Sequence, residues 1–311
     1  MTNANCADTT LSVVVTTYQG RQLCDIEELV QSIASQLTPD LEVLFVLEGS
    51  AALESEIESI CQRHLTCNYE VVTNQGKAGI SASRNIGIRR SKGRIVAFVD
   101  DDVLLPQQWS RNLVASLSDP DVGAVTGGAT PLPVDTDVNW LPSSFHWLIG
   151  STAWYGNRSV SETRAVWGMN MAFQRSVFER GIEFPEGVGG IQGKRIHGEE
   201  QIVCYRIKKE LGLKVIFDPG LVVKHKVYKS RLSSQQIWRN SFGMGRTRKM
   251  VKQLYGKVDA LQIERNLIRK MTQEVIATLI FEVWSNPRKA LQIIPVAGLS
   301  LLALSLGYFS A

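Results

Sequence analysis

Three consecutive aspartates, Asp100, Asp101 and Asp102, close the apolar run RIVAFV at 94–99. Carboxylates this close raise one another's proton affinity unless a cation neutralises them. Oxygen-only ligation suits Mg2+ or Mn2+, which usually bridge to phosphate oxygens rather than sit in a closed protein cage. The same triplet also reads as an acidic turn or helix cap ahead of Pro106. Its delivery by a buried strand favours the metal. A second acidic pair, Glu199-Glu200, opens a helical pattern after the Gly-rich stretch 187–197. Acids at a helix N-terminus complement the dipole, and a carboxylate there can also take the proton of an attacking hydroxyl. His225 follows the apolar LVVK stretch, where a lone imidazole is a structural residue or a ligand. Trp154 and Trp167 could stack on a flat ligand face or fill a core. Arg239, Arg246 and Arg248 could clamp a phosphate group or face anionic lipid.

These side chains need elements that bring them to one place. LSVVVTT (11–17), LEVLFVL (41–47), 69–73 and 94–99 are short β-branched or apolar runs, the pattern of buried parallel strands. Between them, 25–36, 53–64 and 81–91 show helical spacing, with Leu37 closing the first. Further helices are expected at 106–117 and 199–211, and strands at 122–125 and 214–217. A strand broken by Gly168 is expected at 165–173. The Gly-, Pro-, Ser- and Trp-rich stretch 127–166 reads as a long functional connection. Alternating strands and helices imply an α/β fold with a mainly parallel sheet flanked by helices. Ligands of such sheets bind beyond the carboxyl ends of the strands, which selects Thr16-Thr17-Tyr18, Glu48-Gly49-Ser50 and the aspartates.

The chain has 311 residues, of which 44% are hydrophobic and 21% charged, an ordinary globular composition. Net charge is +4, but residues 224–290 hold fifteen Lys/Arg and four Asp/Glu. From Ser233 the pattern is helical to the end, interrupted at Asn286-Pro287. Residues 290–311 carry no charge over 22 positions. At about 1.5 Å per residue this segment could cross a hydrocarbon core of about 30 Å, or pack on the domain or lie in the interface. Arg288 and Lys289 before it would hold the preceding domain on the cytoplasmic side. The expected division is 1–230, a basic helical extension at 231–289, and an apolar membrane-associated or transmembrane helix at 290–311. Five scattered cysteines without zinc spacing fit a reducing compartment. The polar stretch 1–10 lacks a signal core. The basic region contains no nucleic-acid recognition module, so nucleic acid is not an expected partner.

At VVVTTYQGR (13–21), GISASRNIG (79–87), RIVAFVDDD (94–102), WGMNMAF (167–173), GEEQIVCYRI (198–207) and VVKHKV (222–227), the chain resembles the family-2 glycosyltransferases of GT-A (Rossmann-like) fold. The pieces occur in the family's order and cover about residues 11–228. GATPLP, WLPSSFHWLIG and HGEEQ are most similar to archaeal dolichyl-phosphate-linked sugar transferases, glucuronosyl types among them.

The resemblance implies roles. Thr17 and Tyr18 contact the nucleotide base, and Glu48, where the family has aspartate, holds base or ribose. Arg84 and Asn85 lie near the nucleotide phosphates. Asp100 holds ribose or metal, Asp101 assists, Asp102 is the main metal ligand, and His225 is a further one. Glu200 is the general base with Glu199 as its alternate, again replacing a family aspartate. Trp167, Gly168, Asn170 and Arg246 shape the substrate side. The implied reaction is inverting transfer from a nucleotide-sugar, a UDP-sugar first, with Mg2+ or Mn2+, to a lipid-linked or saccharide acceptor at an anionic membrane surface. The alternatives are a nucleotidyltransferase acting on a sugar phosphate and a non-catalytic, membrane-tethered nucleotide-sugar-binding protein.

Overall fold

The computed structural model describes residues 10–36, 40–76, 78–152, 154–156, 158–186, 189–191, 194–196, 198–256 and 262–310. In chain order the regular elements begin with β1 (Leu11–Tyr18), α1 (Leu23–Ala34), β2 (Leu41–Glu48), α2 (Ala51–His64), β3 (Asn68–Thr73), α3 (Ile80–Arg90), β4 (Ile95–Asp100), β5 (Val103–Leu104), α4 (Trp109–Ser116) and β6 (Val122–Thr126). Then come β7 (Ala129–Pro133), β8 (Ser161–Glu162), β9 (Asn170–Gln174), α5 (Arg175–Glu179), β10 (Gly189–Ile191), β11 (Lys194–Ile196), α6 (Glu199–Leu211), β12 (Lys214–Phe217) and β13 (Val223–Val227). The chain ends in α7 (Ser234–Tyr255), α8 (Gln262–Ala277), α9 (Val283–Ser285) and α10 (Pro287–Ser310), with a π-helical turn at Thr278–Glu282. Leu37, residues 1–9 and parts of the expected Gly-rich loop (187, 188, 192, 193 and 197) lie outside the described residues.

The chain divides into two units. One comprises 1–128, 158–192 and 199–224, and the other 129–157, 193–198 and 225–311. The first is a mixed α/β layer around an eight-stranded sheet of order β3-β2-β1-β4-β9-β6-β12-β8. β1, β2, β3 and β4 run parallel, so their carboxyl ends meet at one edge, with Thr16 opposite Asp100 and Tyr18 opposite Glu48. β9 runs antiparallel between β4 and β6, with Asn170 opposite Val99. The start of β9 therefore lies where β4 ends, and Asp100 N donates to Met169 O at 3.4 Å.

The expected strand at 165–173 starts only at Asn170, because the chain turns before it: Asn170 N donates to Trp167 O at 2.9 Å. Within the expected connection 127–166, β7, a 3-10 helix at Ser143–Ile149 and β8 are short and follow no extended period. Val14, Val46, Phe98, Phe173, Phe184, Val203 and Ile207 belong to one buried cluster of this unit. Two close approaches set the layer spacing. A Cβ on Gly87 would lie 2.4 Å from Val14, which seats α3 on β1, and one on Gly127 would lie 2.1 Å from the Leu221 carbonyl oxygen.

In the second unit, Phe145, Leu148 and Ile149 of the 3-10 helix share a core with Ile237, Leu267, Met271, Ala297 and Leu304. Ser233 caps α7, its hydroxyl accepting from Gln236 N at 3.3 Å. Pro287 occupies the first turn of α10, where a missing N–H is harmless, and Asn286 Oδ1 accepts from Lys289 N at 3.3 Å. α10 is long and apolar enough to cross a membrane, with mean hydropathy 1.9. Its buried positions Ala290, Ile293, Ala297, Ser300, Leu304 and Gly307 recur at alternating spacings of three and four, a seam of mostly small residues. It meets α7 backbone to backbone: a Cβ on Gly307 would lie 2.1 Å from Phe242 O, and one on Gly245 would lie 2.1 Å from Leu304 O.

Because backbone cannot step aside as a flexible side chain can, Gly127→Ala is expected to lower unfolding free energy by about 1–3 kcal/mol, read from a urea titration.

Candidate active site

The sheet edge of the first unit gathers residues from four strands and two helices. Thr17 and Tyr18 end β1, Glu48 ends β2, Asp100 ends β4, and Trp167-Gly168 precede β9. Arg84 and Asn85 lie on α3, and Glu199-Glu200 open α6.

Arg84 is nearly fully buried, and its Nη1 lies 3.1 Å from Glu199 Oε1 and 3.2 Å from Glu200 Oε1. Burial opposes its charge, but Glu200, Glu199 and Asp100 outweigh that and raise its proton affinity. The guanidinium lies 5.2 Å from the centre of the Phe184 ring. Asn85 secures that ring's backbone: its Nδ2 donates to Phe184 O at 2.8 Å, and Phe184 N donates to its Oδ1 at 3.0 Å. Gly168 closes over the cluster, since a Cβ there would lie 2.4 Å from Glu200 Oε1 and 2.6 Å from Arg84 Nη2.

A second guanidinium, Arg21, follows β1. Its Nη2 lies 2.9 Å from Asp101 Oδ1 and its Nη1 3.3 Å from Asp102 Oδ2. It stacks 4.9 Å above the ring of Tyr18, which is half exposed. Burial opposes the charge on Arg21, but Asp101 and Asp102 prevail and raise its proton affinity. Thr17 Oγ1 donates to Asp101 Oδ2. Burial is the largest influence on Asp101 and lifts its carboxyl to about 7, with Arg21 pulling the other way and Asp102 adding to the rise.

The aspartates thus differ in engagement. Asp101 is taken up by Thr17 and Arg21, whereas an oxygen of Asp100 and one of Asp102 lie within 4.8 Å of each other. This hard, all-oxygen pair fits a divalent cation such as Mg2+ or Mn2+. Arg21 occupies part of Asp102's charge at the longer 3.3 Å contact.

Glu48, Asn170 and Trp167 are structurally committed. Glu48 Oε1 accepts from Gly79 N at 2.7 Å and Ser83 Oγ at 2.9 Å, tying the end of β2 to the start of α3. Buried Asn170 accepts from Trp109 Nε1 at 3.0 Å and donates to Gly128 O at 3.3 Å and Leu221 O at 2.5 Å. Trp167 is partly buried, edge-on to Phe217 at 5.6 Å, and its backbone N–H donates to Thr126 Oγ1. In the second unit, His225 is buried on β13, with Arg231 Nη2 3.2 Å from its Nε2. Arg246 and Arg248 lie on α7, Arg248 buried; Arg239, also on α7, is exposed, and Trp154 is partly buried. Sequence reasoning did not single out Arg21, though it ends the TTYQGR segment. An arginine three residues beyond a strand end, facing an acidic triplet on the neighbouring strand, is the signal that could have found it.

Removing Arg84 would leave two carboxylates without their shared cation. Arg84→Met is expected to cost about 3–5 kcal/mol at neutral pH, read from a denaturant titration. Asp101 gives a pH signature. Its carboxyl keeps a proton to about 7 when folded, against the unperturbed 3.8, so the folded chain binds more protons across that window. Its contribution is therefore fully present below about 4 and lost as pH rises through about 7. Relative to Asp101→Asn, the parent chain should lose thermal stability over that rise, as melting curves of the two proteins would show.

The glycosyl transferase family 2 profile matches residues 12–182. A glucosyl-dolichyl phosphate glucuronosyltransferase of Haloferax volcanii is 29% identical over 250 residues, 79% of this chain and 78% of that protein. The structure of a mannosyltransferase from Pyrobaculum calidifontis, in complex with GDP-Man and Mn2+, superposes with a TM-score of 0.64 at 20% identity, covering 96% of this chain and 86% of that one. S. aureus TarS 1-349, in complex with UDP-GlcNAc, superposes at 0.50 and 16% identity, covering 95% and 81%. The superpositions carry the fold, and the profile spans more than half of the chain. The eight-stranded layer with its acidic edge is thus a GT-A domain, and the chain belongs to glycosyl transferase family 2 as a glycosyltransferase.

Proposed function

We propose that the chain transfers a sugar from a nucleotide-sugar, a UDP-sugar first, to a sugar hydroxyl of a lipid-linked acceptor, inverting the anomeric carbon. One observation carries this reading: a single sheet edge gathers the Asp100-Asp102 oxygen pair and the Arg84-bound Glu199-Glu200 pair. A divalent ion bound by Asp100 and Asp102, with His225 as the further ligand the family resemblance implies, would supply charge neutralisation for the departing nucleoside diphosphate. The exposed ring of Tyr18 offers a face for the base, beside Thr17. Glu48, held by Gly79 and Ser83, fixes the floor of that pocket.

Glu200 is the proposed general base, with Glu199 more deeply buried behind it. As the acceptor oxygen attacks, Glu200 takes its proton, and Arg84 keeps the carboxylate aimed. A single displacement gives inversion. Trp167 and Asn170 form the substrate wall, the latter through the backbone segments that it pins together, and Arg246 is a candidate contact for acceptor phosphate. The Haloferax relative is named for a glucosyl-dolichyl phosphate acceptor and the Pyrobaculum neighbour is in complex with GDP-Man and Mn2+. The first name supports a lipid-linked acceptor and the second a metal-assisted donor. A polyprenyl-linked acceptor would place the reaction at the cytoplasmic face of a membrane, where nucleotide-sugars are available.

The test is a panel of UDP- and GDP-sugars with Mn2+ or Mg2+ and polyprenyl-phosphate-linked sugars. Nucleoside diphosphate release that depends on acceptor is expected, and pyrophosphate release would instead indicate nucleotidyl transfer. Asp102→Ala should abolish turnover and weaken Mn2+ binding. Glu200→Gln should lower kcat by about 10²–10⁴ with donor binding retained. Near-parental turnover by Glu200→Gln would point to an acceptor that arrives already ionised, such as a lipid phosphate. Gly168→Ala should reduce kcat as well, since its methyl would displace Glu200 Oε1.

A further inference from the structure

α10 presents two unlike sides. Its seam of small residues faces α7, while Leu291, Leu302, Leu306 and Phe309 on the outer side are 46–80% exposed. Just before it, Phe281 is 69% and Trp284 87% exposed. An apolar surface of this kind, uncharged from Ala290 onward, is not stable facing water. Nearby charge is basic: Arg265, Arg269 and Arg288 are all exposed in the same unit, within a stretch whose fifteen Lys/Arg outnumber four Asp/Glu.

We infer that α10 lies in the plane of an anionic bilayer surface, its outer side among the acyl chains and Trp284 at the headgroup boundary, and does not cross the bilayer. The bond to α7 decides between lying and spanning. The two helices meet through bare backbone at Gly245 and Gly307, and Lys252 Nζ donates to Tyr308 Oη at 3.0 Å. That contact is near the C-terminal end of α10. A span would carry the paired part of α7 across with it, dragging Arg246, Arg248, Lys249 and Lys252 through hydrocarbon, where each is costly. Lying flat costs nothing of the kind. The amphipathic object is the pair, with α10 supplying the apolar side and α7 the basic one. Trp and Phe at the helix start suit the headgroup boundary, and the arginines suit anionic headgroups. The inference deepens the lipid-linked acceptor of the proposed reaction, but its test uses no turnover, so either can fail alone.

Full-length protein is floated with phosphatidylcholine vesicles, with and without phosphatidylglycerol. Binding is expected with the anionic lipid, weakened by salt. Replacing the surface residues Phe281, Trp284 and Phe309 by alanine should reduce partitioning about tenfold or more, with the melting temperature kept. In a Cys6→Ser, Cys24→Ser, Cys67→Ser background, Ser285→Cys and Ser310→Cys mark the two ends of α10. In sealed membranes from expressing cells, a membrane-impermeant maleimide should label both from the same side. Labelling from opposite sides would establish a span and overturn the inference. Failure to float, or sedimentation as a dimer that buries Trp284 from quenchers, would overturn it in favour of a protein partner.

Discussion

Too many carboxylates converge on one sheet edge to be folded without cations. Asp100, Asp101, Asp102, Glu199 and Glu200 meet there, and two buried or part-buried guanidiniums answer them. Arg21 ties the end of β1 to the end of β4, and Arg84 ties α3 to α6. Each ion pair crosses elements distant in sequence, so the charges that threaten the edge also hold it closed. Among the described residues, five carboxylates face two arginines there, and burial holds a proton on Asp101 to about 7. Negative charge at Asp100 and Asp102 would favour a divalent ion.

Topology makes this convergence possible. Four parallel strands deliver their carboxyl ends to one edge, and antiparallel β9 brings its beginning to the same place. Gly168 can then press against Glu200 and Arg84, and Asn170 can pin Gly128 and Leu221 from beneath. The edge is closely packed where it holds charge and half exposed at Tyr18.

Much of this was legible in sequence because the signals were local. The apolar runs at 11–17, 41–47 and 94–99 and the helical spacing of 199–211 reappear within a residue or so as β1, β2, β4 and α6. Glu199-Glu200 at a helix start and aspartates at a strand end were readable for the same reason. What stayed hidden depends on partners far apart in the chain. Nothing around Asn85 announces that it brackets Phe184, and nothing around Asn170 announces Trp109. Arg21 gains its meaning only when β1 and β4 lie side by side. The segment 127–166 was opaque because its short strands and 3-10 helix have no period long enough to detect.

The π-helical turn at Thr278–Glu282 gives the C-terminal segment a sensitivity of a different kind. A π turn closes one residue later than an α turn, so it amounts to one inserted amino acid. Each helical residue advances the face by about 100°. Deletion of a single codon there would restore ordinary winding and swing Trp284 about a quarter-turn round the axis, while the small-residue seam of α10 kept its internal spacing. Chain length at this one turn, more than the chemistry of any side chain, sets the direction in which that tryptophan points.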